Sequence, residues 1–100
     1  MHRLSPGAQA YLDAIWDYVF AVSGSEKLAD AQIHSITRRF YLLSAYPRIG
    51  RARDDDLGRG RRSYPVDRYV IVYRVKGEDV RILRVAHSAR DIKALMDGGQ

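Results

Sequence analysis

Residues 61–87 read RRSYPVDRYVIVYRVKGEDVRILRVAH, and the period of this stretch decides the fold. Its apolar side chains recur every second residue, and Val, Ile and Tyr, which suit a pleated half-buried surface, dominate them. Tyr69 to Lys76 and Val80 to Ala86 read as strands. Between them Lys76-Gly77-Glu78-Asp79 fits a two-residue hairpin, with glycine first as a type II′ turn requires. Arg61 to Val66 reads as a further strand, and Pro65, which has no N–H to give to a ladder, suggests an edge or a strand end.

With Gly77 and Glu78 as the central turn residues, Val75 faces Val80 and Tyr73 faces Ile82. That register predicts Val70, Val72, Leu83 and Val85 on one face and sets Arg74 opposite Arg81. Like charges directly opposed cost stability. Two readings stay open for this pair: long side chains splayed into solvent at a sheet end, or a cationic clamp for an anionic group. Parity groups Arg81, Leu83, Val85 and His87 on one face and turns Arg84 to the other, opposite Ile71. There Arg84 must reach the sheet edge or find a carboxylate, Asp67 or Asp91, because an unpaired buried guanidinium is costly.

Upstream, the period changes to that of a helix. Ser5-Pro6 pairs an N-cap residue with proline at the first helical position. Ala8, Leu12, Ile15, Trp16, Val19 and Phe20 then recur at helical spacing to about Val22, where Ser23-Gly24 breaks the run. Ser25 caps a second stripe of Ala29, Ile33, Ile36, Phe40 and Leu43, which Pro47 brings to an end. Two amphipathic helices joined by so short a turn make an antiparallel hairpin, with Trp16 and Phe40 expected in the core. His2-Arg3-Leu4 suits a short edge strand, residues 48–60 read as a loop, and Ser88 to Met96 reads as a short helix. The predicted class is α+β, as one domain over residues 1–100: an N-terminal antiparallel helical hairpin packed on a three- to four-stranded antiparallel sheet, with a short C-terminal helix.

Composition narrows the function classes. There is no cysteine, so no disulfide framework and no thiolate metal site. No apolar run approaches the length of a membrane span, and the first residues lack the apolar core of a secretory signal, so a soluble cytosolic protein is expected. The formal charge is +5, carried by fourteen arginines against three lysines. Guanidinium groups suit bidentate contact with carboxylates and phosphates, so the charge points to acidic partners without choosing among them. No phosphate loop, His-x-x-x-His spacing or Gly-x-Ser-x-Gly elbow occurs, so no metal or cofactor is implied. His34 has no ligand partner at helical spacing.

Three pieces, LSPGAQAYLDAIWDYV, YPRIGRARDDDLGRGRRSYPVDRYVIVYR and ILRVAHSARD, in this order and spacing, resemble the ParE-type toxins of the RelE/ParE superfamily from bacterial type II toxin–antitoxin modules. The resemblance implies a RelE/ParE-like fold and a cognate ParD-like antitoxin that wraps the toxin in a hetero-oligomeric complex. ParE-type members are gyrase poisons that block replication without being enzymes. Relatives on the RelE side are ribosome-dependent mRNA endonucleases, which is the alternative here.

The residues weigh these two functions differently. A nuclease would draw on Arg62, Arg81, Arg84 and His87, yet the C-terminal half offers no second histidine or obvious base, and no tyrosine follows His87. A binding toxin asks for a stable scaffold with a few anchors, and arginine and tyrosine are enriched among such anchors. The antitoxin- or target-binding candidates are Arg51, Arg61, Arg62, Tyr73, Arg74, Arg81, Arg84, His87 and Arg90. Six arginines against three aspartates give residues 48–62 a local formal charge of +3, part of it neutralised within the loop. Such a surface attracts an acidic antitoxin tail. The non-enzymatic gyrase inhibitor is the favoured reading, and direct binding of nucleic acid belongs to the alternative.

Overall fold

The computed structural model describes residues 2–87. In chain order the elements are β1 (His2–Leu4), α1 (Pro6–Ser23), α2 (Glu26–Ala45), β2 (Arg51–Ala52), β3 (Arg61–Val66), β4 (Tyr69–Lys76) and β5 (Asp79–His87). The strands form one sheet in the order β1-β5-β4-β3-β2. β1 runs parallel to β5, and the other neighbours are antiparallel. The sheet is therefore five-stranded and mixed, wider than the expected antiparallel meander of three or four strands. The two additions lie at its edges: His2–Leu4 on one side, and Arg51–Ala52, within the expected loop, on the other. The helix expected from Ser88, and Arg90 within it, lie outside the described residues.

Local chemistry sets the helix limits. Ser5 is extended, and its Oγ accepts from the Ala8 N–H at 3.2 Å, filling one of the donors that a helix start leaves unpaired. Gly24 closes α1 in the left-handed region, with φ 68°, and its N–H returns to the Phe20 carbonyl at 2.7 Å. One residue later Ser25 caps α2 through the Leu28 N–H at 3.1 Å, so the two helices fold back on each other as expected. Trp16 is half-buried on their seam rather than in the core, and its Nε1 donates to Asp30 at 2.8 Å. Phe40 is fully buried.

The hairpin covers one face of the sheet. Ala8, Leu12 and Ile15 of α1 and Ile36, Phe40 and Leu43 of α2 meet Val66, Tyr69, Ile71, Tyr73, Val80, Ile82 and Val85 in a single core. The other face, here called outer, holds a smaller cluster in which Leu57 lies over Val72 beside Leu83. Asp67 takes a left-handed φ of 54° in the tight turn from β3 to β4, a conformation that aspartate tolerates better than most residues. Its carboxylate accepts from Ser35 at 2.9 Å and Gln32 at 3.2 Å, tying that turn to α2.

The β4–β5 hairpin starts as its turn predicts. Gly77 has φ 63°, and Val75 pairs with Val80, Tyr73 with Ile82 and Arg74 with Arg81. The register then slips between Val72 and Tyr73, so that Val72 pairs with Arg84, Ile71 with Val85 and Tyr69 with His87. One extra residue on β5 reverses the parity beyond it. Val85 accordingly joins Val80 and Ile82 in the helix-facing core instead of sharing a face with Arg81 and Leu83, and Arg84 lies opposite Val72 rather than Ile71. Ser5 sits at the slip: its N–H donates to the Ile82 carbonyl at 2.9 Å and its hydroxyl to the Leu83 carbonyl at 3.0 Å. Replacing it, as Ser5→Ala, removes the cap and the hydroxyl bond to Leu83 together and leaves the backbone bond to Ile82. We expect a loss of about 1–2 kcal/mol in urea denaturation; an unchanged midpoint would show that the side chain carries neither bond.

Candidate functional site

The corner between α2 and β2 is built around one buried phenol. Tyr73 lies at the centre of the core with no exposed surface. Its hydroxyl donates to the Pro47 carbonyl at 2.8 Å and accepts from the Gly50 N–H at 2.9 Å. Arg62, paired with Tyr73 across the β3–β4 ladder, donates through Nη1 to the Gly50 carbonyl at 2.6 Å and the Arg48 carbonyl at 3.3 Å. A side chain at Gly50 has no room, because its Cβ would lie 2.7 Å from Tyr73 Cε1. Burial raises the Tyr73 hydroxyl above the ordinary tyrosine value of 10.0. Tyr73 is thus a core residue that shapes the corner and not a surface anchor, which corrects its place among the binding candidates. Arg62 is half-buried and engaged by backbone carbonyls.

The segment from Arg53 to Gly60 folds onto the outer face. Arg53 Nε donates to both Asp56 carboxylate oxygens at 2.9 Å, and its Nη1 reaches Ser63 Oγ at 3.1 Å. The Arg53–Asp56 pair is the one ion pair among the described residues. Hydrogen bonding to Arg53 holds the Asp56 carboxyl below its usual value, and the same bond raises Arg53. Asp54 accepts from the Gly60 N–H, and Arg61 Nη1 donates to the Leu57 carbonyl at 2.8 Å. Asp56 is therefore neutralised inside the loop by Arg53, while Asp54 is held by a backbone N–H.

Beyond that loop the outer face carries a row of guanidinium groups. Arg3 on β1 pairs in register with Arg81 on β5, Arg81 with Arg74 on β4, and Arg74 with Arg61 on β3. Strand neighbours lie about 4.8 Å apart, so four arginines line up across four strands. Arg3, Arg74 and Arg81 are exposed, and Arg61 is half-buried. Arg51, also exposed, is on β2, where it pairs with Ser63 rather than joining the row. The Arg74–Arg81 pair was legible from the hairpin turn. Arg3 and Arg61 were not aligned with it, because their positions depend on the registers of β1 and β3.

Arg84 and His87 lie past the slip. β1 pairs with β5 only from Val80 to Ile82, so Arg84 stands on an edge that no strand among the described residues covers. Its Nη1 donates to the Tyr11 hydroxyl of α1, with the guanidinium carbon 5.2 Å from the Tyr11 ring centre. Of the two outcomes expected, Arg84 reaches the sheet edge, where the Tyr11 hydroxyl receives it; Asp67 is taken up by Ser35 and Gln32, and Asp91 lies outside the described residues. His87 pairs with Tyr69 across the ladder, their rings edge-to-face at 5.6 Å. The nuclease candidates are thus distributed among different tasks. Arg62 holds two carbonyls, Arg84 holds Tyr11, and Arg81 is on the outer face across β4 from Arg62. No group of three or more His, Asp or Glu side chains suited to a metal occurs among the described residues.

The family model described as ParE toxin of type II toxin-antitoxin system, parDE, matches residues 3–92, and the chain belongs to that family. It is 43% identical to Toxin ParE3 of Caulobacter vibrioides over 68 residues, covering 68% of this chain and 67% of that protein. To Toxin ParE1 of Mycobacterium tuberculosis it is 34% identical over 92 residues, covering 91% and 92% of the two chains. Among solved structures, one titled as the chromosomal ParDE TA system from P. aeruginosa superposes with a TM-score of 0.74 at 25% identity, over 86% of this chain and 92% of that one.

Two measurements check the corner. Tyr73→Phe leaves the Gly50 N–H and the Pro47 carbonyl without their shared partner and should cost about 2 kcal/mol. Gly50→Ala should destabilise too, and somewhat less in the Tyr73→Phe background, where the hydroxyl is gone although Cε1 and Cζ of the ring still obstruct; strict additivity in a double-mutant cycle would show that the hydroxyl adds nothing to the clash. The tyrosine also sets a pH dependence. Its folded pKa is raised, so its stabilising contribution is complete below the ordinary value of 10.0 and is lost as pH rises through the folded value. Alkaline unfolding curves of the native chain should show this loss, and those of Tyr73→Phe should lack it.

Proposed function

We propose that this ParE-family chain is a non-enzymatic toxin that inhibits bacterial DNA gyrase, and so replication, and that a cognate ParD-like antitoxin neutralises it. The observation that carries the non-enzymatic part is the separation of the nuclease candidates. Cleavage through a 2′-hydroxyl needs a base, an acid and cations around one phosphate. Here Arg62 and Arg84 are committed to Gly50 and Tyr11, and His87 lies against Tyr69. Membership of the ParE family supports gyrase as the target, and the P. aeruginosa ParDE neighbour supports an antitoxin partner. No helix among the described residues is long and apolar enough to cross a membrane, and action on gyrase belongs in the cytoplasm.

Antitoxin recognition draws on the exposed arginines. Arg51, Arg74 and Arg81 contribute charge directly, half-buried Arg61 adds to it from beside the Leu57 carbonyl it holds, and Arg62 and Tyr73 act by holding the corner from which β2 starts. Arg84 and His87 at the β5 edge belong to the surface available to antitoxin or target.

Expression of the chain without its antitoxin separates the two functions. The expected course is a DNA-damage response with gyrase-linked double-strand breaks, while translation continues at first. An early arrest of translation with cleaved mRNA would instead establish the RelE-like endonuclease. In a second experiment Arg51→Glu, which breaks no hydrogen bond among the described residues, should weaken the antitoxin complex severalfold at low salt and flatten its salt dependence. Equal affinity at low salt would remove Arg51 from the interface.

A further inference from the structure

The four-arginine row on the outer face has a geometry that selects among acidic partners. From the row Arg3–Arg81–Arg74–Arg61 we infer that the outer face is the seat of an acidic, helical segment of the antitoxin, lying across the strands with one carboxylate over each guanidinium. The inference rests on the toxin–antitoxin reading above and adds the site, the chemistry and the direction of the bound segment.

The row is costly to the toxin alone. Each adjacent pair sets like charges in register, and no carboxylate pairs with Arg3, Arg74 or Arg81 among the described residues. The register that creates it is dictated from the opposite face, where Tyr73 meets Ile82 in the core. A ligand that brings carboxylates to the row relieves this repulsion on binding.

Spacing decides the shape of that ligand. Four strands span about 14 Å from the first guanidinium stem to the last. Carboxylates at i, i+4, i+7 and i+11 of a helix lie on one face and span about 16 Å, with steps close to the strand spacing. An extended peptide lying across the strands repeats its same-face side chains every 6–7 Å or so, and falls out of step by the fourth arginine. The neighbouring surface agrees: Leu83, half-buried, follows Arg81 on the same face and offers an apolar shelf to the flank of an amphipathic helix. Single-stranded nucleic acid is disfavoured, because it binds through aromatic stacking platforms and this face has none. The outward positions of β3, β4 and β5 up to the slip are Arg61, Ser63, Pro65, Val70, Val72, Arg74, Lys76, Asp79, Arg81 and Leu83, while Tyr64, Tyr69 and Tyr73 face the helices.

The test uses the full chain and an alanine-rich helical peptide of about 20 residues carrying glutamates at i, i+4, i+7 and i+11, beside an isomer whose same four glutamates are split between opposite faces. The matched peptide should bind at least about tenfold more tightly than the isomer, and Arg81→Glu should abolish that difference. Because Arg81→Glu places a carboxylate between Arg3 and Arg74, its melting temperature should equal or exceed that of the native chain, so lost binding cannot be assigned to lost folding. Equal binding of the two peptides would overturn the helical geometry. Tighter binding of duplex DNA than of the matched peptide, lost in Arg81→Glu, would make the row a nucleic-acid surface and overturn the inference. Co-expression with the cognate antitoxin separates this site from the function it serves. If the antitoxin neutralises Arg81→Glu and the native chain with equal affinity, the site is wrong while the toxin–antitoxin reading stands. If the antitoxin does not bind the native chain, that reading fails and the inference with it.

Discussion

One hydroxyl group fixes the corner at which the chain leaves the helices and enters the sheet. Tyr73 is in the middle of β4, with its ring in the core between sheet and helices, and its Oη is bonded to Pro47 and Gly50, where the chain leaves α2. A buried phenol without partners would be a liability; with one donor and one acceptor bond satisfied it becomes a fixed point. Everything after α2 is aimed by it. The Gly50 backbone approaches so closely that no side chain fits, Arg62 takes up the adjoining carbonyls, and β2 begins at the next residue. The loop from Arg53 to Gly60 then hangs between β2 and β3, with its Leu57 over the outer face.

The same residue fixes the electrostatics of the far face. A strand has only two faces, so anchoring Tyr73 and Val75 toward the helices sends Arg74 outward. Pairing Tyr73 with Ile82 then brings Arg81 opposite Arg74, and the parallel β1 adds Arg3. Core packing thus imposes a charge arrangement that no local preference would choose. The three like-charge pairs of the row lower the stability of the chain alone, a cost of the kind expected where stability is exchanged for binding.

Much of the fold was legible because its signals are local. Ser5-Pro6, Gly24-Ser25 and Pro47 bound the helices through caps and forbidden backbone angles, and Gly77 sets the hairpin register as far as Tyr73 and Ile82. The register slip was not legible. Ile82-Leu83-Arg84-Val85 alternates too weakly to show that one residue is extra, and the slip is held from outside the strand by Ser5, whose N–H and hydroxyl take the Ile82 and Leu83 carbonyls. Its consequence was large, since every parity beyond it changed, including those of Val85 and His87. β2 was hidden for a similar reason: two residues between charged turns carry no periodic signal, and they pair only because the corner delivers them to β3. At the candidate site, the arginine pair at the hairpin was visible and the row was not, since Arg3 and Arg61 are aligned by pairings distant in sequence.

The arginines also show why a net charge of +5 is a poor measure of a binding surface. Lysine would serve equally as a point charge, but a planar guanidinium with several fixed donors can bridge groups that a single ammonium cannot. Arg53 joins Asp56 to Ser63, Arg62 joins Gly50 to Arg48, and Arg84 reaches Tyr11 of α1 from the sheet edge. These three act as cross-links of the scaffold, and their charge is partly spent on backbone, hydroxyl or carboxylate. Arg3, Arg74 and Arg81 have no such engagement among the described residues, and they stand together. The division falls along the sheet: arginines that reach the corner, the loop or the helix hold the protein in shape, and those the core turns outward in register form the cationic surface it presents.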